Sequence, residues 1–307
     1  MENKIVIKSK IMQLLYDNAK LFAQSDEPVL ILGESGVGKE VLAKFIHNNS
    51  KRCDKPFLAI NCASLPENLI ESELFGYKKG AFTDAKNDKI GLLKGVMGGT
   101  VFLDEIADIP MSLQAKLLRA LETKEIMPLG STHPEKVNFR LISATNKEPI
   151  HEVQKNRFRD DLYYRISTFI LRIPPLRERT EEIPYFVDLF LQELKPGSYL
   201  SPEALELFLC YPWPGNIREL KNAIIYSSHL SSKEKIDIDC LPDWLKNFCA
   251  KLNLLPRVSI KERVRCFEKQ LIEYYKKCNN VDIKMLAEQL GISIASLYRK
   301  LSQKNSK

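Results

Sequence analysis

The chain has little of what metal centres, disulfide scaffolds and membrane proteins are built from. Its four histidines show no ligand spacing. The seven cysteines lie at 53, 62, 210, 240, 249, 266 and 278, and no two form a Cys-x-x-Cys pair. An odd, scattered set of thiols suits a reducing cytoplasm better than disulfides or zinc. No apolar run approaches the ~20 residues that a membrane-spanning helix requires. The first ten residues carry three lysines and lack the apolar core of a secretory leader. There is no internal repeat and no low-complexity tract. These absences lead us to expect a cytoplasmic protein with no membrane partner.

What is present is an ample core and an uneven charge. Apolar residues make up 44% of the chain and charged residues 28%, enough for a large core and a solvated surface. A length of 307 residues allows two or three domains. The net charge is +7. From Lys251 onward there are 13 Lys/Arg against 5 Asp/Glu, so the first 250 residues carry a net −1. The whole excess sits in the tail, where a polyanion partner is to be sought.

Gly33-Glu34-Ser35-Gly36-Val37-Gly38-Lys39 follows the apolar run 29–32 directly. It reads as a phosphate-binding loop between a buried strand and a helix. The glycines let several N–H groups turn inward, Lys39 adds a positive charge, and the helix directs its positive dipole end at the same place. Glu40 stands where the general motif has Ser or Thr to help hold magnesium. The bland alternative is a glycine-rich turn without a ligand. A second segment, Thr100-Val-Phe-Leu-Asp104-Glu105, ends an apolar strand in two acids. Asp104 can hold Mg2+ directly or through water, and Glu105 can polarise an attacking water. Alone, they could equally be two solvated carboxylates opening a helix. Together the two segments predict ATP hydrolysis.

Apolar runs at 29–32, 57–60, 100–103, 139–144 and 166–171 read as parallel strands separated by helical patterns. That alternation predicts an α/β sheet covered on both faces. Ile173-Pro-Pro-Leu176 ends it, and helical patterns at 181–194, 202–210 and 215–230 predict a helical subdomain. The expected divisions are 1–175 for the α/β ATPase, 176–248 for the helical lid, 249–258 for a linker and 259–307 for a DNA-binding domain.

In the tail, apolar residues recur every three or four positions from Ile260 to Cys278, which predicts one long amphipathic helix. Beyond it, Ala287, Gly291 and Leu297 have the spacing of a helix-turn-helix. Its second helix would present Ser293, Ala295, Ser296 and Arg299 to bases or nearby backbone. Arg299, Lys300 and Lys304 would neutralise phosphates. Pairing of the long helix into a dimer would bury its apolar face.

Taken together, these residues resemble the bacterial enhancer-binding proteins. These are AAA+ activators of sigma-54 RNA polymerase with a Fis-type helix-turn-helix domain. In that family Glu is usual after the loop lysine, as at Glu40. The resemblance carries further residues. Asn61 matches a switch for the catalytic glutamate, here Glu105. Thr145 and Asn146 match the first sensor. Arg159 and Arg165 match arginine fingers, which would act from a neighbouring subunit, and Arg218 matches the second sensor on the lid. A hexameric ring is implied. Family members usually carry a sensory domain before the ATPase. Here the loop begins at residue 33, which leaves no room for one and leads us to expect control by a separate regulatory protein or by expression level.

The family's contact loop for sigma-54 is Gly-Ala-Phe-Thr-Gly-Ala, and this chain has Gly80-Ala81-Phe82-Thr83-Asp84-Ala85. Asp84 is a departure that restricts the backbone and adds a negative charge, which Lys78 and Lys79 are near enough in sequence to offset. The function implied is an ATP-hydrolysing, DNA-binding activator that opens promoters held by sigma-54 holoenzyme. The alternatives are a related regulator acting on the ordinary sigma factor, and a DNA-bound AAA+ remodeller outside transcription initiation. A repressor without activity is a third, against which Lys39, Asp104, Glu105 and Arg159 argue.

Overall fold

Val29–Leu32 is apolar at all four positions because both of its faces are covered. It forms strand β1, buried along its whole length. The computed structural model describes residues 5–64, 66–82 and 85–252, together with Ala287, Ser293 and Leu297. Four further strands flank β1: β2 (Phe57–Asn61), β3 (Thr100–Asp104), β4 (Arg140–Thr145) and β5 (Phe169–Arg172). All pair in parallel, in the order β2-β3-β4-β1-β5. The register sets Leu32 opposite Thr145 and Arg172, and Asn61 opposite Asp104.

Parallel neighbours require crossovers, and the crossover helices cover both faces of the sheet. The two-residue period of the strands then sorts the core. One face collects Leu30, Leu32, Val101, Leu103 and Leu141 against Ile70, Leu74, Leu113, Leu117 and Leu162. The other collects Val29, Ile31, Phe102, Ile142 and Ala144. These pack on Met12, Leu15 and Ala19 of α1 (Lys10–Ala23) and on Leu42, Ala43 and Ile46 of α2 (Lys39–Asn48).

The fifth strand needs correction. The predicted run 166–171 straddles two elements, because Ile166 closes helix Asp160–Ile166 and the strand begins only at Phe169. Both the helix end and the strand are buried in part, so hydrophobicity alone does not mark the boundary.

Arg140 opens β4 and is almost wholly buried. Its guanidinium donates to the carbonyls of Ala23 and Phe22, each at 2.8 Å. Those carbonyls end α1 and have no partner within the helix. Burial pushes the Arg140 pKa down to about 10.

The chain divides into two compact units. One runs to Phe186 and includes Trp213–Asn222; the other holds Val187–Pro212 and the chain from Ala223. The helical patterns predicted at 181–194, 202–210 and 215–230 correspond to Ile183–Leu194, Pro202–Cys210 and Asn216–Leu230, and a further helix that was not predicted covers Asp243–Leu252. In the second unit Ser201 caps helix Pro202–Cys210 through the Ala204 amide, and the Tyr211 ring packs on Trp244 and Phe248. Residues 249–252, the first of the expected linker, are helical. Ala287 and Leu297 are buried, Ser293 is exposed, and the Leu297 amide donates to the Ser293 carbonyl at 2.9 Å. Gly291, Ala295, Ser296, Arg299 and Lys300 lie outside the described residues.

Candidate nucleotide site

The carboxyl ends of β3, β4 and β1 lie side by side, and each delivers part of one polar cluster. β1 runs into the loop Gly33–Gly38, and α2 begins at Lys39. Gly36 and Gly38 have φ of 78° and 107°, which side chains rarely tolerate. At Gly36 crowding adds to this, since a Cβ there would meet the Gly215 carbonyl at 2.4 Å. At Gly38 a Cβ would meet nothing within 4 Å, so that side of the loop is open.

Lys39 Nζ donates to the Gly33 carbonyl and to Glu105 Oε1, both at 3.1 Å. The two side chains are 6% and 15% exposed. Glu105 sits in the left-handed region at φ 53°, and its other oxygen accepts from the Asn146 amide at 3.1 Å. The Glu105 amide donates to Asp104 Oδ1 at 3.0 Å. Burial raises the Asp104 pKa; the Lys39 charge opposes this, and the Glu105 charge adds to it. Thr145 is fully buried, its carbonyl accepting from the Gly33 amide and its hydroxyl from the Lys147 amide. Lys39, Asp104, Glu105, Thr145 and Asn146 are therefore brought together.

Asn61 lies beside Asp104 in the register, but its Oδ1 accepts from the Ala63 amide at 2.9 Å and makes no bond to Glu105. Glu40 takes Lys44 as its partner one turn along α2. Arg159 pairs through two nitrogens with Asp161, at 3.0 and 2.7 Å. The Arg165 guanidinium donates to the Leu121 carbonyl at 3.4 Å, and its buried Nε has no hydrogen-bond partner among the described residues. Neither arginine joins the Lys39 cluster of its own chain.

A belt of residues behind the loop was not legible as such. Arg177 grips Glu34 through two bonds of 2.6 and 2.9 Å and holds its carboxyl below the usual range. Asn216 is fully buried; its Nδ2 donates to Glu34 and to the Ser35 carbonyl, and its Oδ1 accepts from the Leu176 amide. Arg179 donates to the Val37 carbonyl. Arg218, which the resemblance did single out, donates to Ser35 Oγ at 2.8 Å. The available signal was the charge cluster Arg177-Glu178-Arg179, which follows β5 closely in the chain.

At the expected contact loop, the Gly80 amide donates to the Ala85 carbonyl and the Ala85 amide to the Phe82 carbonyl. Phe82 is 43% exposed, with its ring edge-on to Tyr77 at 4.9 Å between centroids. Ala81 packs on Gly130, where a Cβ would approach the Ala81 Cβ to 2.9 Å. Thr83 and Asp84 lie outside the described residues. Lys78, expected to offset Asp84, is paired with Asp88 at 3.1 Å and Glu135 at 3.5 Å.

A glycine loop and its lysine after β1, with two acids at the end of the parallel strand β3 and β4 between them, define a P-loop nucleoside triphosphatase. Comparison narrows this. The Sigma-54 interaction domain model matches residues 5–172, and the AAA+ ATPase lid domain model matches residues 177–252. Regulatory protein LuxO of Vibrio cholerae is 42% identical over 97% of this chain and 69% of its own length. Transcriptional regulatory protein GlrR of Escherichia coli is 40% identical over 89% of this chain and 66% of its own length. UacR of Escherichia coli is 42% identical over 98% of this chain, which spans only 53% of that relative. The crystal structure of NtrX from Brucella abortus in complex with ADP superposes with a TM-score of 0.77 at 30% identity, covering 98% of this chain and 69% of that one. The chain belongs to the sigma-54 interaction family of AAA+ ATPases, whose relatives here are transcription regulators. The matched domain includes Gly80–Ala85, so action through the ordinary sigma factor is not favoured. No helix among the described residues is long and apolar enough to cross a membrane.

Proposed function

We propose that the Lys39–Asp104–Glu105 cluster binds ATP with Mg2+ and hydrolyses it, and that the turnover remodels sigma-54 RNA polymerase holoenzyme to open promoters. The observation that carries this reading is the meeting of Lys39 and Glu105 at 3.1 Å beside the open face of Gly38. Lys39 and the loop amides of Gly36, Val37 and Gly38 provide positive character for phosphates. Asp104 keeps one carboxylate oxygen outside its bond to the Glu105 amide, as a magnesium ligand requires. Bound Mg2+ would withdraw charge from the phosphoryl oxygens. Glu105 orients water and takes its proton, with Asn61 steering the carboxylate. Thr145, Asn146 and Arg218 read the nucleotide state. Arg159 and Arg165 act on the nucleotide of a neighbouring subunit in a hexameric ring.

Residues 80–85 form the contact to sigma-54. Residues 259–307 bind upstream DNA as a dimer through Ser293, Ala295, Ser296, Arg299 and Lys300. The ATPase occupies 1–175 and its lid 176–248, and the protein works in the cytoplasm. Phosphate release and ATP titration test the core of this reading. Wild type should turn over ATP and Lys39→Ala should lose ATP binding. Glu105→Gln should keep binding and lose turnover by about 10²- to 10⁴-fold. Full turnover in Glu105→Gln would overturn the assignment of the base.

A further inference from the structure

Three consecutive carbonyls of the phosphate loop are held from outside by three different donors. Asn216 Nδ2 donates to the Ser35 carbonyl at 3.0 Å, the Ile217 amide to the Gly36 carbonyl at 3.0 Å, and Arg179 Nη2 to the Val37 carbonyl at 2.9 Å. A trans peptide is planar, and its N–H points opposite to its C=O. Tethering these carbonyls therefore aims the amides of Gly36, Val37 and Gly38 the other way. None of the three amides donates to the protein among the described residues. Successive amides converging in this manner make an anion-binding concavity.

Two of the donors are themselves rigidly placed. Arg179 is 1% exposed and its other terminal nitrogen bonds Glu182, which is fully buried. Glu182 in turn accepts from the Lys8 amide, the Ser9 amide and Ser9 Oγ at 3.0–3.1 Å. Asn216 holds φ 53° and uses both ends of its amide, which fixes the orientation of the group. Neither side chain reaches the open side of the loop where phosphate would lie.

We infer that Arg179 and Asn216 are positioning residues for phosphate recognition: they brace the loop from behind so that the Gly36, Val37 and Gly38 amides face the nucleotide. This rests on the nucleotide site proposed above. Arg179→Lys retains a cation for Glu182 but not the planar fork that serves Glu182 and Val37 at once. Asn216→Ala removes the Ser35 tether.

The test is calorimetric titration of the full chain with ATP and with adenosine, alongside thermal unfolding without nucleotide. Each variant should bind ATP about tenfold or more weakly, with adenosine affinity unchanged. Equal loss for ATP and adenosine would show a general structural role and overturn the inference. Unchanged ATP affinity would overturn it too, while loss of binding in Lys39→Ala would leave the nucleotide site standing. If Lys39→Ala also binds ATP like wild type, the site reading itself fails. Should either variant not fold, amide exchange of the wild-type chain decides. Gly36, Val37 and Gly38 should gain protection with ATP and not with adenosine, and no gain would refute the bracing role.

Discussion

Lys39 and Glu105 are 66 residues apart in the chain, yet their charges meet at 3.1 Å across the ends of adjacent structural elements. The contact links the nucleotide loop to the acid strand before any third partner is considered. Glu105 is also bound to the Asn146 amide at the end of β4. One carboxylate thus joins three segments that the sequence separates widely. A phosphate that draws Lys39 toward itself leaves Glu105 held by Asn146 alone, oriented but no longer neutralised by the lysine.

The Asp104 carboxyl gives a stability prediction with a definite sign. Burial raises its pKa, against the opposing Lys39 charge and with a further rise from Glu105. The folded chain therefore keeps this proton to higher pH than the unfolded chain does. As pH rises above the ordinary value of 3.8, the unfolded state loses its proton first and folding stability falls. Asp104→Asn removes that penalty. Its melting temperature should exceed that of wild type at neutral pH, and the difference should shrink as pH is lowered toward 3.8. A constant difference across that range would rule out charge burial as the cause. Turnover should fall in the same variant.

Arg159 is occupied by Asp161 of its own chain, through two short bonds. Both side chains are well exposed, so the pair is weak and readily exchanged. Arg159→Ala should leave ATP affinity largely intact and lower turnover by about 10³-fold or more. Mixing Arg159→Ala chains with Glu105→Gln chains should restore part of the activity, because one subunit then supplies the finger and another the base. No recovery in mixed rings shown to assemble would place the finger in its own subunit.

Much of the nucleotide site was legible because its chemistry is written in short contiguous runs. Gly33–Lys39 and Asp104-Glu105 each follow a buried strand, and parallel pairing brings strand ends together. Thr145 and Asn146 were placed by resemblance alone, since neither carries a distinctive local pattern. Arg179, Asn216 and Glu182 escaped for a physical reason. Arg179 and Asn216 donate to loop carbonyls, and Glu182 accepts from Arg179 and from the Lys8 and Ser9 amides, which leaves no trace in spacing. Arg140 is a similar case: a lone arginine reads as solvated, but here it caps α1 from within the core. The end of helix Asp160–Ile166 was read as strand because buried helix and buried strand share one composition.

The helix-turn-helix assignment rests on Ala287, Gly291 and Leu297, of which Ala287 and Leu297 are buried. Arg299→Ala should weaken binding to the operator. If the guanidinium reads a base, the loss should be about 1–3 kcal/mol on the operator and smaller on random DNA. A phosphate contact would weaken both equally and flatten the salt dependence. Undiminished binding to both would remove Arg299 from the DNA-contacting set.

The contact loop offers the most direct test of coupling. Its base is closed by the bonds between Gly80, Phe82 and Ala85, and Phe82 stands half-exposed against Tyr77. An aromatic left in solvent on a short, tied loop is better suited to a partner than to the core. Thr83→Ala should abolish promoter opening and spare basal ATPase, because the segment belongs to none of the strand ends that hold Lys39, Asp104 and Glu105. Phe82→Ala should behave alike. Asp84→Gly should preserve or raise activation, since it restores backbone freedom and removes a charge. Lys78 is already engaged by Asp88 and Glu135, which leaves Lys79 or a basic group on the partner to offset Asp84. Co-migration with sigma-54 in the presence of an ATP transition-state analogue measures this directly. Wild type and Asp84→Gly should both form the complex, and Thr83→Ala should not. Complex formation by Asp84→Gly alone would mean that the native loop does not engage sigma-54.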